Sequence, residues 1–489
     1  VFLLDYAKIY GKVKEDFKMI NWDKLAQDYK EDYLKDLADL ISIDSERNDN
    51  EATDEFPLGP GPAKALVKYL EIGKRDGFTV KNLDNLVGYI EYGSGDKTFA
   101  ILAHADVMPA GEGWDSNPFE MMIKDGKVFG RGASDDKGPG LAAYYGLKMM
   151  KDQGIEPNCK IRFIIGTDEE SNWTGMKHYF KLEPEPDFGF SPDAQFPVIN
   201  GEKGNTTFET TFGTNQEDSA DYYLANFDAG LRENMVPRDA FADVKTVFKD
   251  QMAEEFSTFM QDRKLDGGSE ITEDGIKLHL IGKSAHGMEP RNGVNGGTFL
   301  ANFLRGYDFS GDAKNFIKFV AEFLHGDSRA NRIGANYTDE IMGDLTMNVG
   351  ILKFNPTDGG FVNTNFRYPK GISVETIGKH LSQAAKVMDG TVNNTDDMVP
   401  HYVDPKDPIV NKLINVYRER TGKTEAQPQV VGGGTYGRMM KRGVAFGAEF
   451  PWTVNTMHQA NEYQVVDDLL LAMAIYGQSI FELGTLEDN

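Results

Sequence analysis

The 489-residue chain exceeds the roughly 250–300 residues at which a single core stops growing, so two domains are the starting expectation. Its 77 acidic against 52 basic residues give a net charge of −25, which repels phosphate backbones and anionic lipid and argues against nucleic-acid and membrane partners. The lone Cys159 forms no internal disulfide and no apolar run approaches the ~18–20 residues of a membrane helix, so a cytoplasmic protein acting on small ligands is expected.

The first residue is not methionine, and Val1-Phe2-Leu3-Leu4 is interrupted by Asp5 too early for a signal-peptide core. Met19 is a plausible start, and residues 1–18 read as an N-terminal extension. From Trp22 to Ile43 apolar residues recur at helical spacing, which predicts an amphipathic helix. Asn48 to Pro62 is acidic and rich in Pro and Gly, hence a loop, and a second helix runs from Pro62 to Asp76. Strands follow at Leu86–Tyr92 and Thr98–His104, then a hairpin of 121–123 with 127–129 turning at Asp125-Gly126. A helix over Gly138–Gln153, a buried strand over Lys160–Ile165 and a further helix–strand pair lead to Ser191-Pro192-Asp193. This β/α alternation predicts a mixed, largely parallel sheet covered by helices.

Between 204 and 398 the texture changes to β runs (Thr206–Phe212, Ile276–Gly282, Met347–Phe354, Gly360–Arg367) mixed with helices, read as an inserted α+β domain. A helix over Pro408–Thr421 and a C-terminal helix over Val465–Leu483 complete the first domain, which is thus expected to comprise residues 19–203 and 399–489.

Ligands of open α/β sheets bind at the carboxyl ends of strands, and four such ends here carry chemistry. They hold His104 and Asp106; Asp135 and Asp136; Asp168, Glu169 and Glu170; and Asp193. His458 stands far downstream beside a helix start. Two imidazoles with several carboxylates suit a pair of borderline divalent metals such as Zn²⁺. In the adjacent pair Glu169-Glu170, one side chain can ligate while the other faces a water as general base.

Taken in order, His104-Ala105-Asp106, Gly130-Arg131-Gly132-Ala133-Ser134-Asp135-Asp136-Lys137-Gly138, Thr167-Asp168-Glu169-Glu170, Ser191-Pro192-Asp193 and His458 resemble the M20 family of dinuclear zinc peptidases. The resemblance runs from about Trp22 to the end. The stretches at 113–119 and 187–194 look most like the PepV-type, carnosinase-like dipeptidases of lactic acid bacteria. It implies that His104 and Asp193 bind one zinc, Glu170 and His458 the other, and Asp135 bridges both; Mn²⁺ or Co²⁺ are substitutes. It further implies a cis peptide between Asp135 and Asp136. Asp106 would hydrogen-bond the second nitrogen of His104, the arrangement that fixes a ligand's tautomer, and Glu169 would be the general base.

In the insert, expected to act as a lid, His286 within Gly282-Lys283-Ser284-Ala285-His286-Gly287 resembles the family's oxyanion donor. Arg367 and Asn234 match positions that hold the substrate's terminal carboxylate, a task suited to a planar guanidinium fork. Gly433 and Gly434 would let the backbone approach substrate. Asp136 is a candidate contact for the substrate amine. The resemblance thus implies a metal-dependent dipeptidase for unblocked dipeptides, monomeric like relatives with an enlarged insert.

Blander readings stand beside these. Arg367 is alternatively a structural ion-pair partner and Asn234 a turn residue, while Asp136 and Asp168 read as hydrogen-bonding neighbours rather than ligands. The loop 130–138 carries two aspartates where a phosphate site wants bare amides. His178, His279, His325, His380 and His401 lack motif context. The rival functions are an N-acyl amino acid deacylase of the same family and, more remotely, a non-catalytic two-domain solute-binding protein.

Overall fold

The computed structural model describes residues 20–217 and 220–486, so the extension read at 1–18 lies outside the described residues. Contacts divide the described residues into two compact units, one drawn from 20–200, 402–429 and 434–486, the other from 201–401 and 430–433. The passage 430–433, placed with the first domain on sequence grounds, clusters with the second unit. Lys203 donates its N–H to the carbonyl of Val431, and the Arg367 guanidinium donates to that of Gly432 at 3.0 Å.

The first unit is built on β1 (Thr79–Leu83), β2 (Val87–Tyr92), β3 (Thr98–His104), β4 (Lys160–Gly166), β5 (Phe188–Ser191), β6 (Ile199–Glu202) and β7 (Gly443–Ala445), in the spatial order β1-β2-β4-β3-β5-β7-β6. The inner strands β4, β3, β5 and β7 are parallel. β1, β2 and β6 add antiparallel edges.

Alternation along β3 explains why both faces are covered. Phe99, Ile101 and Ala103 enter one core, while Ala100 and Leu102 enter a second with Tyr179, Tyr436 and Met440. His104 continues the parity of Ala100 and Leu102, and its ring stands edge-on to Tyr436 with centroids 6.3 Å apart.

Among the described residues seven helices pack around this sheet: α1 (Trp22–Asp28), α2 (Lys30–Ile41), α3 (Pro60–Arg75), α4 (Lys137–Asp152), α5 (Thr174–Leu182), α6 (Pro408–Thr421) and α7 (Val466–Gly484). The predicted helix at 22–43 is two helices, because Tyr29 caps the first and its N–H bonds back to Leu25 and Gln27. β1 has no counterpart in the sequence reading; Thr79-Val80-Lys81-Asn82 is mostly exposed and lacks an apolar signal. The hairpin forms from Met122–Lys124 and Lys127–Phe129, with Asp125 and Gly126 both at positive φ as a tight primed turn requires. Helices α4 and α7 meet glycine to glycine: a Cβ on Gly146 would lie 2.9 Å from the Gly477 nitrogen. Cys159 is buried.

The second unit is α+β. An eight-stranded antiparallel sheet includes Gly204–Phe212, Gly275–Ile281, Thr346–Asn355 and Gly359–Tyr368, and helices such as Gly296–Leu304 and Val374–Lys386 complete its core. Among the described residues no helix is long and apolar enough to cross a membrane.

Candidate metal centre

Each chemical residue of the first unit arrives at a strand end or in the loop that follows. His104 ends β3 and is wholly buried. Asp135 sits in the loop before α4, Glu169 and Glu170 follow β4, Asp193 follows β5, and His458 precedes α7. The loop at 130–138 needs its glycines. Gly132 has φ +90°, and a Cβ on Gly138 would fall 2.1 Å from the carbonyl oxygen of Ala133. Lys137 anchors the same loop from below, donating its ammonium to the carbonyls of Leu40 and Ile43 at the end of α2; burial pushes its pKa down to about 7.

These ends bring five side chains together in a two-ended arrangement. His104 Nε2 lies 3.0 Å from Asp135 Oδ1 and 3.5 Å from Asp193 Oδ2. His458 Nε2 lies 2.9 Å from Asp135 Oδ2 and 3.2 Å from Glu170 Oε1. Asp135 therefore turns one oxygen to each imidazole. Donor atoms of His104, Glu169 and Asp193 lie within 4.8 Å of one another, as do those of His104, Asp135 and Glu170. The Asp135–Asp136 peptide is cis.

The donor set fits a pair of divalent cations. The side chains of Asp135, Glu170 and Asp193 are 10 % exposed or less, and so many carboxylates withdrawn from water need compensating positive charge. The crowding of these groups appears as displaced proton affinities. Burial and the neighbouring Asp193 hold Glu169 well above the usual carboxylate range, and burial with Asp135 raises Glu170 to about 7. Against the cost of burial, hydrogen bonds to Asp135 and Glu170 push His458 up to about 11, and carboxylate partners raise His104 too. Burial opposes the ionised form of Asp135, yet both histidines hold its pKa low.

Asp106 meets both His104 Nδ1 and the loop after β4. The hydrogen bond at His104 Nδ1 goes to the backbone carbonyl of Asp106 at 3.0 Å, with the nearest carboxylate oxygen at 3.4 Å. That carboxylate accepts the N–H groups of Glu169 and Glu170 at 3.1 and 3.2 Å, fixing the backbone at both residues. Asp136 is fully buried, and its Oδ2 accepts the His104 N–H at 3.1 Å. Asp168 bonds Arg47 at 2.9 Å and the amides of Asn172 and Thr174. His178 and His279 pair with Asp84 and Asp239 instead.

In the second unit the Asn234 carbonyl accepts the Gly287 N–H at 2.7 Å, and Met235 bridges His286, so these two segments lie side by side. His286 is exposed, and its Nδ1 accepts the Met288 N–H. Arg367 is 6 % exposed and bonded to Asn365 as well as to Gly432. A Cβ on Gly432 would stand 3.0 Å from that of Met288, a tight approach. At Gly433 a Cβ would meet nothing within 4 Å, so crowding gives no reason for glycine there.

One residue of the site escaped the sequence reading. Glu462, buried and paired with Arg131 at 2.6 Å, accepts three amides of the loop that carries Asp135. Its only sequence signal is an acid four residues beyond His458.

Fold and site together define a two-unit protein whose α/β unit carries a candidate metal-binding cluster. The chain belongs to the peptidase family M20/M25/M40, whose model matches residues 100–482, and is an enzyme of that metallopeptidase family. It is 42 % identical over 466 residues to the Beta-Ala-Xaa dipeptidase of Lactobacillus delbrueckii subsp. lactis, covering 95 % of this chain and 98 % of that protein. To a putative dipeptidase of Staphylococcus epidermidis it is 40 % identical over 467 residues, covering 94 % and 99 %. Human carnosine dipeptidase 1 has the same fold, with a TM-score of 0.58 at 14 % identity over 96 % of this chain and 99 % of that one. So does the dipeptidase Dug1p of Saccharomyces cerevisiae, at 0.54 and 14 % identity over 94 % and 98 %.

Proposed function

We propose that the chain is a dipeptidase that hydrolyses unblocked dipeptides with two metal ions. The observation that carries this reading is Asp135, one oxygen facing His104 beside Asp193 and the other facing His458 beside Glu170, with Glu169 adjoining. Two Zn²⁺ in those positions, or Mn²⁺ or Co²⁺, would supply Lewis acidity and a lowered pKa for a water.

Glu169 takes the proton from that water and later delivers it to the leaving amine. A carboxylate whose pKa burial and Asp193 raise suits both transfers, since an acid–base group works best near the operating pH. Asp106 keeps the backbone at Glu169 and Glu170 in place while the two side chains diverge. By the family resemblance, an N–H of His286 meets the developing oxyanion, Arg367 with Asn234 receives the C-terminal carboxylate, and Gly433 and Gly434 present backbone to the substrate. The name of the Lactobacillus relative supports including N-terminal β-alanyl dipeptides among the substrates.

The test is turnover of a free dipeptide beside its N-acetylated form, each with Zn²⁺, Mn²⁺ or Co²⁺ supplied. Hydrolysis of the free form alone is expected. Preference for the acetylated form would instead assign an N-acyl amino acid deacylase, and turnover of neither would remove the proposal.

A further inference from the structure

We propose that Glu462 is the positioning residue of the metal centre, holding the loop that carries Asp135 in register with the loop that carries His458. The inference rests on the metal-centre reading above and goes beyond it to a residue outside the ligand set.

Glu462 is 0 % exposed, and every contact of its carboxylate runs to one short loop. Oε1 accepts the N–H groups of Gly132 at 3.1 Å, Ser134 at 2.8 Å and Asp135 at 3.2 Å. Oε2 receives the Arg131 guanidinium at 2.6 Å, and the Glu462 carbonyl accepts the Gly130 N–H at 3.1 Å. The second arm of Arg131 reaches the carbonyls of Pro109 and Ala110, just beyond Asp106. Glu462 thus bonds the N–H of the bridging residue itself and three further amides of its loop.

The other end of the device is the His458 loop. Thr456 and Tyr463 close it by bonds in both directions, Tyr463 N–H to Thr456 Oγ1 and Thr456 hydroxyl to the Tyr463 carbonyl, each 3.0 Å. Tyr463 in turn pairs with Phe129 at the start of the Asp135 loop. A single buried carboxylate therefore joins two loops about 330 residues apart in sequence, and Asp135 Oδ2 meets His458 Nε2 where they converge. Bonds of this kind around a ligand orient it, and their loss typically costs ~10–100-fold in metal affinity.

Glutamine cannot replace this group. With its oxygen toward the three amides its NH₂ confronts the Arg131 donor; turned over, it places two hydrogens against three N–H groups.

The experiment strips wild type, Glu462→Gln and Glu462→Asp of metal, titrates each with Co²⁺, and follows stoichiometry and the visible Co²⁺ spectrum beside the Tm of the metal-free forms. In Glu462→Gln the second Co²⁺ is expected to bind about 10–100-fold more weakly with an altered spectrum. Glu462→Asp keeps the charge but withdraws the carboxylate by one methylene, and a loss in the same direction is expected there. Wild-type Co²⁺ affinities and spectrum in either folded variant would overturn the proposal, even with a lowered Tm, because that pattern marks a merely structural residue. If wild type itself fails to take up two Co²⁺, the metal-centre reading fails instead.

Discussion

Removing the Glu169 carboxylate should separate its chemical part from metal binding. Glu169 lies within ligand reach of His104 and Asp193, so geometry alone permits it to be a ligand or a base. The two roles differ in what its loss leaves behind. His104, Asp135 and Asp193 at one end and His458, Glu170 and Asp135 at the other give each position three donors without Glu169. Glu169→Ala should therefore keep both metals. It removes the group that accepts the water's proton, and a positioned general base contributes ~10²–10⁴-fold, or about 2.7–5.4 kcal/mol at 1.36 kcal/mol per decade. The assay is kcat and KM on a free dipeptide beside metal content by elemental analysis. A kcat fall of that size with two metals retained is the expected result. Loss of one metal would make Glu169 a ligand, and an unchanged kcat would refute its assigned role altogether.

Metal-free protein should lose stability as pH rises from about 5 to 9. Glu170 is raised to about 7 and His458 to about 11 in the folded state, so each contributes stability below its unfolded pKa and loses it as pH climbs through the folded one. Metal displaces these protons, so the gap in Tm between loaded and stripped protein should widen across that range, and a constant gap would contradict the charge argument. Arg367→Lys should raise KM for free dipeptides by roughly 10–100-fold with a smaller change in kcat, since an ammonium lacks the planar fork; an unaltered KM would leave Arg367 as a structural partner of Asn365 and Gly432. Gly146→Ala should lower thermal stability despite alanine's better helix propensity, because the new methyl meets the α7 backbone at 2.9 Å; overpacking of this sort costs about 1–3 kcal/mol. A raised Tm would show that the helices can part without cost.

Much of this site was legible because parallel strands advertise their ends. A buried apolar run such as Phe99–Ala103 stops at a polar residue where the sheet meets its ligand, and His104, Glu169, Glu170 and Asp193 all follow such runs. The strand β1 was not legible, since an exposed edge carries no apolar pattern. Neither was the second task of Asp106, whose carboxylate accepts the amides of Glu169 and Glu170 besides facing His104. Glu462 shows the same limit in stronger form. A side chain that acts by collecting backbone N–H groups leaves no partner residue type in the sequence to betray it.

The central claim is that Asp135 stands between two metal positions on which peptide hydrolysis depends. The most direct measurement is metal content per chain together with free-dipeptide turnover, before chelation, after it, and after Zn²⁺ is returned. The account predicts two metals per chain, loss of activity with the metals, and recovery on addition of two equivalents of Zn²⁺. Full dipeptidase activity in chelated protein holding no metal would contradict it.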